Sequence, residues 1–465
     1  MSNVNNDHSM KKSDLSVRTV FFIMFCTCCG GAFGTEDMIA SSGPGMAILM
    51  LLLLPFFWSI PMGLVCTELG TAIPDEGGFY RWVQRALGEF WGFQAGWWRS
   101  LSIYVDSSVY VVLAVTYIGF WIPLTHMESW FLCIGFIILF TILNIRGIEM
   151  VGSVSTLLGI ITIVPFVLAI VIGLFHLQFN PFSPIIPEGK SVFGSLGLGL
   201  SIAMWQYAGY ESFSTMAGEV NHPEKLIPKA MFWVMVVMTG IYVLTTVVGV
   251  SAVGNWQNWA SDAGAGQISF ATFGSRIAGP WLGFAFMIAA IAGNLSLYTD
   301  FLASGTRTPF VMADDNLMPK FLKATHKKYG TPHISIIVMA AINIVFSYGS
   351  FDQLIIIDVM LLNLSYIMIF IAAIVLRVKE PNMPRPFKIP LGTKGVCAIC
   401  ICPIIIAVTA LFTNGRDALI MGAVACLSGP VFYWIFKKVY GGLTREELDR
   451  VLGIGAFAES GVPSK

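Results

Sequence analysis

The chain has 465 residues, of which 56% are hydrophobic and only 12% charged, with 27 basic residues against 27 acidic ones and a mean hydropathy of +0.75. Soluble domains carry about 25% charged residues, so this composition describes an all-α integral membrane protein held in a lipid bilayer. Zero net charge argues against a nucleic-acid partner. The stretch through Arg18 is polar and leads into an apolar run long enough to be a span, so no cleavable signal peptide is expected.

About 20 apolar residues cross a bilayer. On that scale twelve transmembrane helices are expected, near 19–42, 46–69, 93–120, 128–145, 153–175, 194–219, 231–253, 279–311, 334–350, 354–376, 396–412 and 417–437. The chain then divides into a tail (1–18), a ten-helix core (19–376), two further helices (377–440) and a second tail (441–465). Lysine and arginine collect on the cytoplasmic side. Lys11, Lys12 and Arg18, then Lys320, Lys323, Lys327 and Lys328, then Arg377, Lys379, Arg385, Lys388 and Lys394 all fall on one face. The opposite face holds Lys190, Arg276 and Arg416. Both termini are therefore predicted to be cytoplasmic.

The first span contains Cys29-Gly30-Gly31-Ala32-Phe33-Gly34, and the sixth contains Ala208-Gly209-Tyr210-Glu211. Glycine weakens a helix by about 1 kcal/mol relative to alanine, so each cluster marks either a break or a close helix contact. Spans one and six open two five-span halves of opposite orientation. Breaks at equivalent places in inverted repeats point to a substrate site at the midplane.

Carboxylates recur in these apolar segments: Glu36 and Asp37, Asp106 near the middle of the third span, Glu211 and Asp300. Each costs about 3 kcal/mol at a helix centre. Lysine and arginine are inconspicuous beside them, so a cationic substrate or coupling ion is expected to neutralise them. Asp106 is read as the holder of a substrate ammonium, helped by Tyr110 or Ser102 one turn away, or else as a hydrogen-bond partner between spans three and eight. Trp205, Tyr207 and Tyr210 are expected around Glu211, where aromatic faces attract ammonium by about 0.5–2 kcal/mol. Asp300 is either a further contact or satisfied by Ser304 and Arg307. Asp37, with Glu36, stands at an outer vestibule or in solvent; Asp358 joins an outer rim or, the favoured readings, packs or is exposed to solvent. Gly30 and Gly31 can present free backbone groups to a ligand.

The run GGAFGTEDMIASSGPG, followed by LPFFWSIPMGLVCTELGTAIPDEGGFYRWVQRALGEFWGFQAGWW and later by MWQYAGYESFSTMAGEVNHPEKLIPKA, resembles the amino acid–polyamine–organocation superfamily. Within it the likeness is to the polyamine-uptake permeases best known from plants. It covers roughly 18–330. The carriers of the likeness are Glu36-Asp37 after a GGxFG break, Trp58-Ser59-Ile60-Pro61, Asp106, Trp205 and Glu211. The resemblance implies a five-plus-five inverted repeat of LeuT-like fold with helices 1 and 6 broken, working by alternating access. It implies that Glu211 links substrate occupancy to gate movement, and that Trp205 gates or stacks. It places Asp300 near acids of the polyamine permeases and Phe301 near an aromatic that contacts substrate in amino acid antiporters. In amino acid carriers the glycine break holds carboxylate and amine. The loops Pro74-Asp75-Glu76-Gly77-Gly78, with Arg81 and Arg85, and Asn221-His222-Pro223-Glu224-Lys225 resemble elements that brace the inner gate through charge pairs.

Some relatives carry a proton-linked lysine in the fifth span; here VGSVSTLLGIITIVPFVLAIVIGLF has none. Exchange, proton coupling through Asp106 or Glu211, and sodium coupling remain open. No enzyme is expected, because the six histidines show no metal spacing and no GxSxG or phosphate loop accompanies the acids. The nine cysteines, Cys397 and Cys400 in a CxxC included, read as small apolar helix residues. The expectation is a carrier, monomeric or homodimeric, needing no cofactor. Its substrate is a small cationic amine such as putrescine or spermidine, with a cationic or aromatic amino acid as the alternative. The short polar termini fit a plasma or bacterial inner membrane.

Overall fold

The computed structural model describes residues 13–119, 122–260, 267–348, 351–413, 416–444 and 446–448. Most of both expected tails lies outside them. The regular secondary structure of the described residues is helical, and two isolated bridges, Ser13 with Val220 and Trp259 with Ile268, are their only β-type pairing. Eight helices among them are long and apolar enough to cross a bilayer.

The first predicted span is two pieces, α1 (Val17–Cys28) and α2 (Thr35–Ser42), separated at the glycine cluster. Gly31 and Gly34 take φ of +102° and +96°, left-handed conformations that a side chain resists. The sixth is interrupted in the same way, between α9 (Val192–Gln206) and a 3-10 helix (Ser212–Glu219), with Gly209 at φ +98°. The breaks touch: a Cβ on Gly209 would lie 2.6 Å from the Thr27 carbonyl oxygen.

The second span is continuous from α3 (Pro44–Leu54) to α4 (Ile60–Ala72), joined by a π-helical turn at Pro55–Ser59. That widened turn lets Trp58 Nε1 donate to the Tyr207 carbonyl at the sixth-span break, 3.1 Å away. The stretch after Pro74, read as loop, instead carries a buried amphipathic helix, α5 (Phe79–Leu87). Next come α6 (Glu89–Gly119), α7 (His126–Ile145) and α8 (Ile148–Gly173). After the sixth-span break follow α10 (Pro223–Val253), a short α11 (Phe270–Ala278) and α12 (Pro280–Asp314). The last four are α13 (His333–Phe346), α14 (Phe351–Lys379), α15 (Gly392–Thr413) and α16 (Arg416–Tyr440).

Burial separates the centre from the rim. In the most apolar window of α12, 72% of residues are buried, against 22% in α7 and in α15. The exposed rim is apolar, with Phe131, Leu157, Val345, Ile405 and Trp434 facing outward as a lipid contact requires. The α12 helix packs on α6 and α8, and α14 packs on α6, so these helices surround the two breaks.

Candidate functional site

One face of α6 presents Arg99, Ser102, Asp106 and Tyr110, spaced three, four and four residues apart. Helical geometry therefore stacks them in a single stripe. All four are buried. Tyr110 donates its hydroxyl to Asp106 Oδ2 at 2.9 Å. Its ring stacks on Phe301 of α12, with centroids 5.6 Å apart, and on Trp205 of α9 at 6.4 Å. Asp106, Tyr110, Trp205 and Phe301 thus meet in one aromatic-walled neighbourhood.

Below it lies a residue that the sequence reading passed over. Arg99 holds Glu211 through Nε at 2.9 Å and Nη2 at 2.7 Å, both to Oε1. It also donates to Ser102 and Ser212, and its guanidinium carbon sits 5.7 Å from the Phe301 ring centre. The expectation that no embedded basic residue neutralises the acids is therefore corrected. Glu211 has a guanidinium, although its Oε2 is unpartnered. The signal was present, since Arg99 and Asp106 are seven residues apart in one apolar helix and must share a face.

Ser102 does not assist Asp106. It donates to Asp358 Oδ1 of α14 at 2.5 Å, so Asp358 is part of this buried centre and not of an outer rim. Of the two tyrosines expected near Glu211, Tyr207 is tied to other spans. The Tyr207 hydroxyl donates to the Leu51 carbonyl at 2.7 Å and its ring meets Tyr242, which ties the break to the second and seventh spans. Tyr210 is buried with its hydroxyl unpartnered.

Asp300 stands apart. Its Oδ1 pairs with Ser155 of α8 at 2.8 Å, and its Oδ2 has no partner. Neither Ser304 nor Arg307 satisfies it; Arg307 is committed to Glu219, 2.7 Å away. Consecutive residues of α12 thus face different neighbourhoods, Phe301 toward Asp106 and Asp300 toward α8.

Backbone groups at the first break are partly spoken for, because the Gly31 N–H donates to the Cys29 thiol and the Gly34 N–H to Glu36 Oε2. Gly30 lies against Leu297 of α12. Glu36 is buried and also accepts from Phe270, the first residue of α11, at 3.2 Å, so it braces α2 against α11. Asp37 is half-buried beside it, and both charges reach Tyr117. An open cavity of about 610 Å³ lies here, lined by Phe33, Glu36, Tyr117 and Phe270 among others. Tyr117 is two turns along α6 from Tyr110, which places this cavity next in line above the Asp106 cluster.

At the other end, charge pairs join helix ends. Arg81 bridges Asp75 (3.2 Å) and Asp315 (2.5 Å), Arg85 meets Glu380 at 2.5 Å, and Glu68 is gripped by Arg377 and Arg385. Burial raises the Glu76 carboxyl above its usual range, and a Cβ on Gly218 would lie 2.9 Å from its carboxyl carbon. The loop after the second span is thereby packed against the 3-10 helix of the sixth.

A helical membrane bundle with two interrupted helices meeting a buried, charged, aromatic-walled centre is the architecture of a permease. A family model described as amino acid permease matches residues 15–436. Polyamine transporter RMV1 of Arabidopsis thaliana is 32% identical over 91% of this chain and 86% of its own length. Polyamine transporter PUT1 of Oryza sativa subsp. japonica is 32% identical over 91% and 79%. The serine/threonine exchanger SteT of Bacillus subtilis (strain 168) is 25% identical over 86% and 91%. The crystal structure of MhsT in complex with L-phenylalanine shares the fold, with a TM-score of 0.62 at 15% identity, over 87% of this chain and all of that one. The chain belongs to the amino acid permease family, within the amino acid–polyamine–organocation superfamily.

Proposed function

We propose that this permease is a secondary carrier of organic cations, above all polyamines such as putrescine and spermidine, working by alternating access. The observation that carries the reading is Asp106, buried in the third span without a basic partner bonded to it, under the rings of Tyr110, Trp205 and Phe301. A carboxylate so placed is costly unless a cation joins it, and aromatic faces favour that cation. Relatives named as polyamine transporters match over most of the chain and support the same substrate class.

The architecture that goes with this function has twelve membrane helices in a five-plus-five inverted repeat. The breaks at α1/α2 and α9 each open one half, and the basic residues put both termini in the cytoplasm of a cell with this carrier in its plasma or inner membrane. Glu211, fixed by Arg99 at the start of the 3-10 helix, transmits occupancy to the inner gate. No cofactor is required; exchange, or a proton or sodium gradient, supplies the drive. A second reading, an amino acid permease or amino acid/amine antiporter, is favoured by the match to an exchanger of serine and threonine.

The deciding experiment is counterflow in proteoliposomes preloaded with putrescine and offered labelled putrescine, spermidine, arginine or serine. Putrescine exchange that disappears in Asp106→Asn is the expected result. Exchange of an amino acid alone, indifferent to Asp106→Asn, replaces the polyamine reading with the second one.

A further inference from the structure

The buried centre has an unequal charge count. Arg99 is the one basic side chain in it among the described residues, and three carboxylates gather around its face of α6: Glu211, Asp358 and Asp106. Only Glu211 is bonded to it directly. Asp358 reaches it through Ser102, which accepts from Arg99 Nη1 at 2.9 Å and donates to Asp358 Oδ1 at 2.5 Å. Asp106 takes the Tyr110 hydroxyl. Asp358 meets α6 at Ser102, one turn from Asp106 on the same helix face. Both aspartates are buried, Asp106 at 8% and Asp358 at 3% exposure. With every acid ionised the centre holds three negative charges and one positive, a deficit of two.

We propose that Asp358 is a second ammonium-binding carboxylate, so that Asp106 and Asp358 together take the two ends of a diammonium. This rests on the organic-cation reading above and narrows it to dications. One ammonium sits at Asp106 under the Tyr110 and Phe301 rings. The other sits at Asp358, and the methylene chain between them crosses the apolar wall. A monoammonium, or an amino acid with net charge of one, leaves one carboxylate uncompensated in a buried site. Ser102 is a positioning residue, because its hydroxyl fixes Asp358 and relays it to Arg99.

The test measures binding to the full-length protein in nanodiscs, using putrescine and butylamine, which share four carbons and differ by one ammonium. Wild type is expected to prefer putrescine by on the order of 100-fold, the scale of leaving one buried charge unpaired. In Asp358→Asn that preference collapses because putrescine weakens while butylamine binding holds. Preserved preference in Asp358→Asn, or equal loss of both amines, overturns the proposal. Asp358→Glu keeps the charge and lengthens its arm by one methylene. Across 1,3-diaminopropane, putrescine and cadaverine its optimum should move toward the shorter chain, and an unmoved optimum overturns the proposal even if the asparagine variant fails to fold. Wild type that binds neither amine removes the organic-cation reading itself. Wild type that binds both amines equally removes only the diammonium site.

Discussion

Two aspartates, both buried in long apolar helices, have been given opposite surroundings. Asp106 of α6 lies among rings, with Arg99 two turns away on its own helix and a second carboxylate, Asp358, opposite. Asp300 of α12 has one polar partner among the described residues, Ser155, and is otherwise enclosed by the packing of α1, α8 and α12. Burial alone therefore does not fix the role of a carboxylate. The first neighbourhood carries unbalanced charge and aromatic walls, the requirements for a cation. The second has a single hydrogen bond and close apolar packing, the form of an interhelical clasp.

The largest expected effect tests the charge balance of the first neighbourhood. Arg99→Met leaves Glu211 buried without its guanidinium, and breaking such a pair costs about 3–5 kcal/mol. Thermal unfolding in detergent should show a strong loss for Arg99→Met and a partial recovery in Arg99→Met/Glu211→Gln. Recovery is the informative part. If the double variant is no more stable than the single one, Arg99 matters for its packing on Phe301 and not for charge.

The two breaks come next. Gly209 sits at φ +98° against the Thr27 carbonyl, so Gly209→Ala suffers both backbone strain and a clash, about 1–3 kcal/mol together. It also pries the sixth-span break from α1, and transport should fall further than stability does. A variant with unfolding and counterflow both like wild type would show that the contact between breaks is incidental.

These breaks were legible from sequence because clustered glycine frees the chain to leave the helix, with close helix packing as the competing reading. Gly30, Gly31, Gly34 and Gly209 needed no knowledge of neighbours. The Asp106 stripe was legible in part, since Tyr110 lies one turn away whatever else happens. Partners from other helices were not. Glu211 could be placed at a break, but its pairing with Arg99 depends on how α6 packs against the sixth span. Tyr207 looked like a site aromatic and is a structural tie, because residues two apart at the end of α9 point to different sides of the helix. Asp358 shows the same limit, since nothing local says that an acid early in α14 meets Ser102.

A matched pair of hydrogen-bond deletions compares the two aspartates at equal chemical cost. Tyr110→Phe removes the donor to Asp106, and Ser155→Ala removes the donor to Asp300; a bond to a charged group is worth about 1.5–3 kcal/mol. The expected consequences differ in kind. Tyr110→Phe should weaken putrescine counterflow per folded carrier in addition to lowering the unfolding temperature. Ser155→Ala should lower the unfolding temperature while leaving counterflow in the surviving protein intact. Swapped outcomes would exchange the roles assigned to the two neighbourhoods.

The smallest expected effect is the sharpest comparison. Asp300→Asn keeps the size of the side chain and an oxygen able to accept from Ser155, so putrescine counterflow should stay within about two-fold of wild type. The same isosteric change at Asp106 removes a charge that the substrate ammonium needs and should abolish exchange. The contrast depends on function, since both substitutions are equally conservative and both sites are buried. Abolished exchange in Asp300→Asn, with normal unfolding, would place Asp300 in the transport cycle. The separation drawn between the α6 face and the α8–α12 contact would then fail, although the face of α12 that carries Asp300 runs beside both breaks and Gly293 packs there on the Gly30 carbonyl. A normal rate would show that burying a carboxyl in a carrier's core does not by itself make it part of the cargo site.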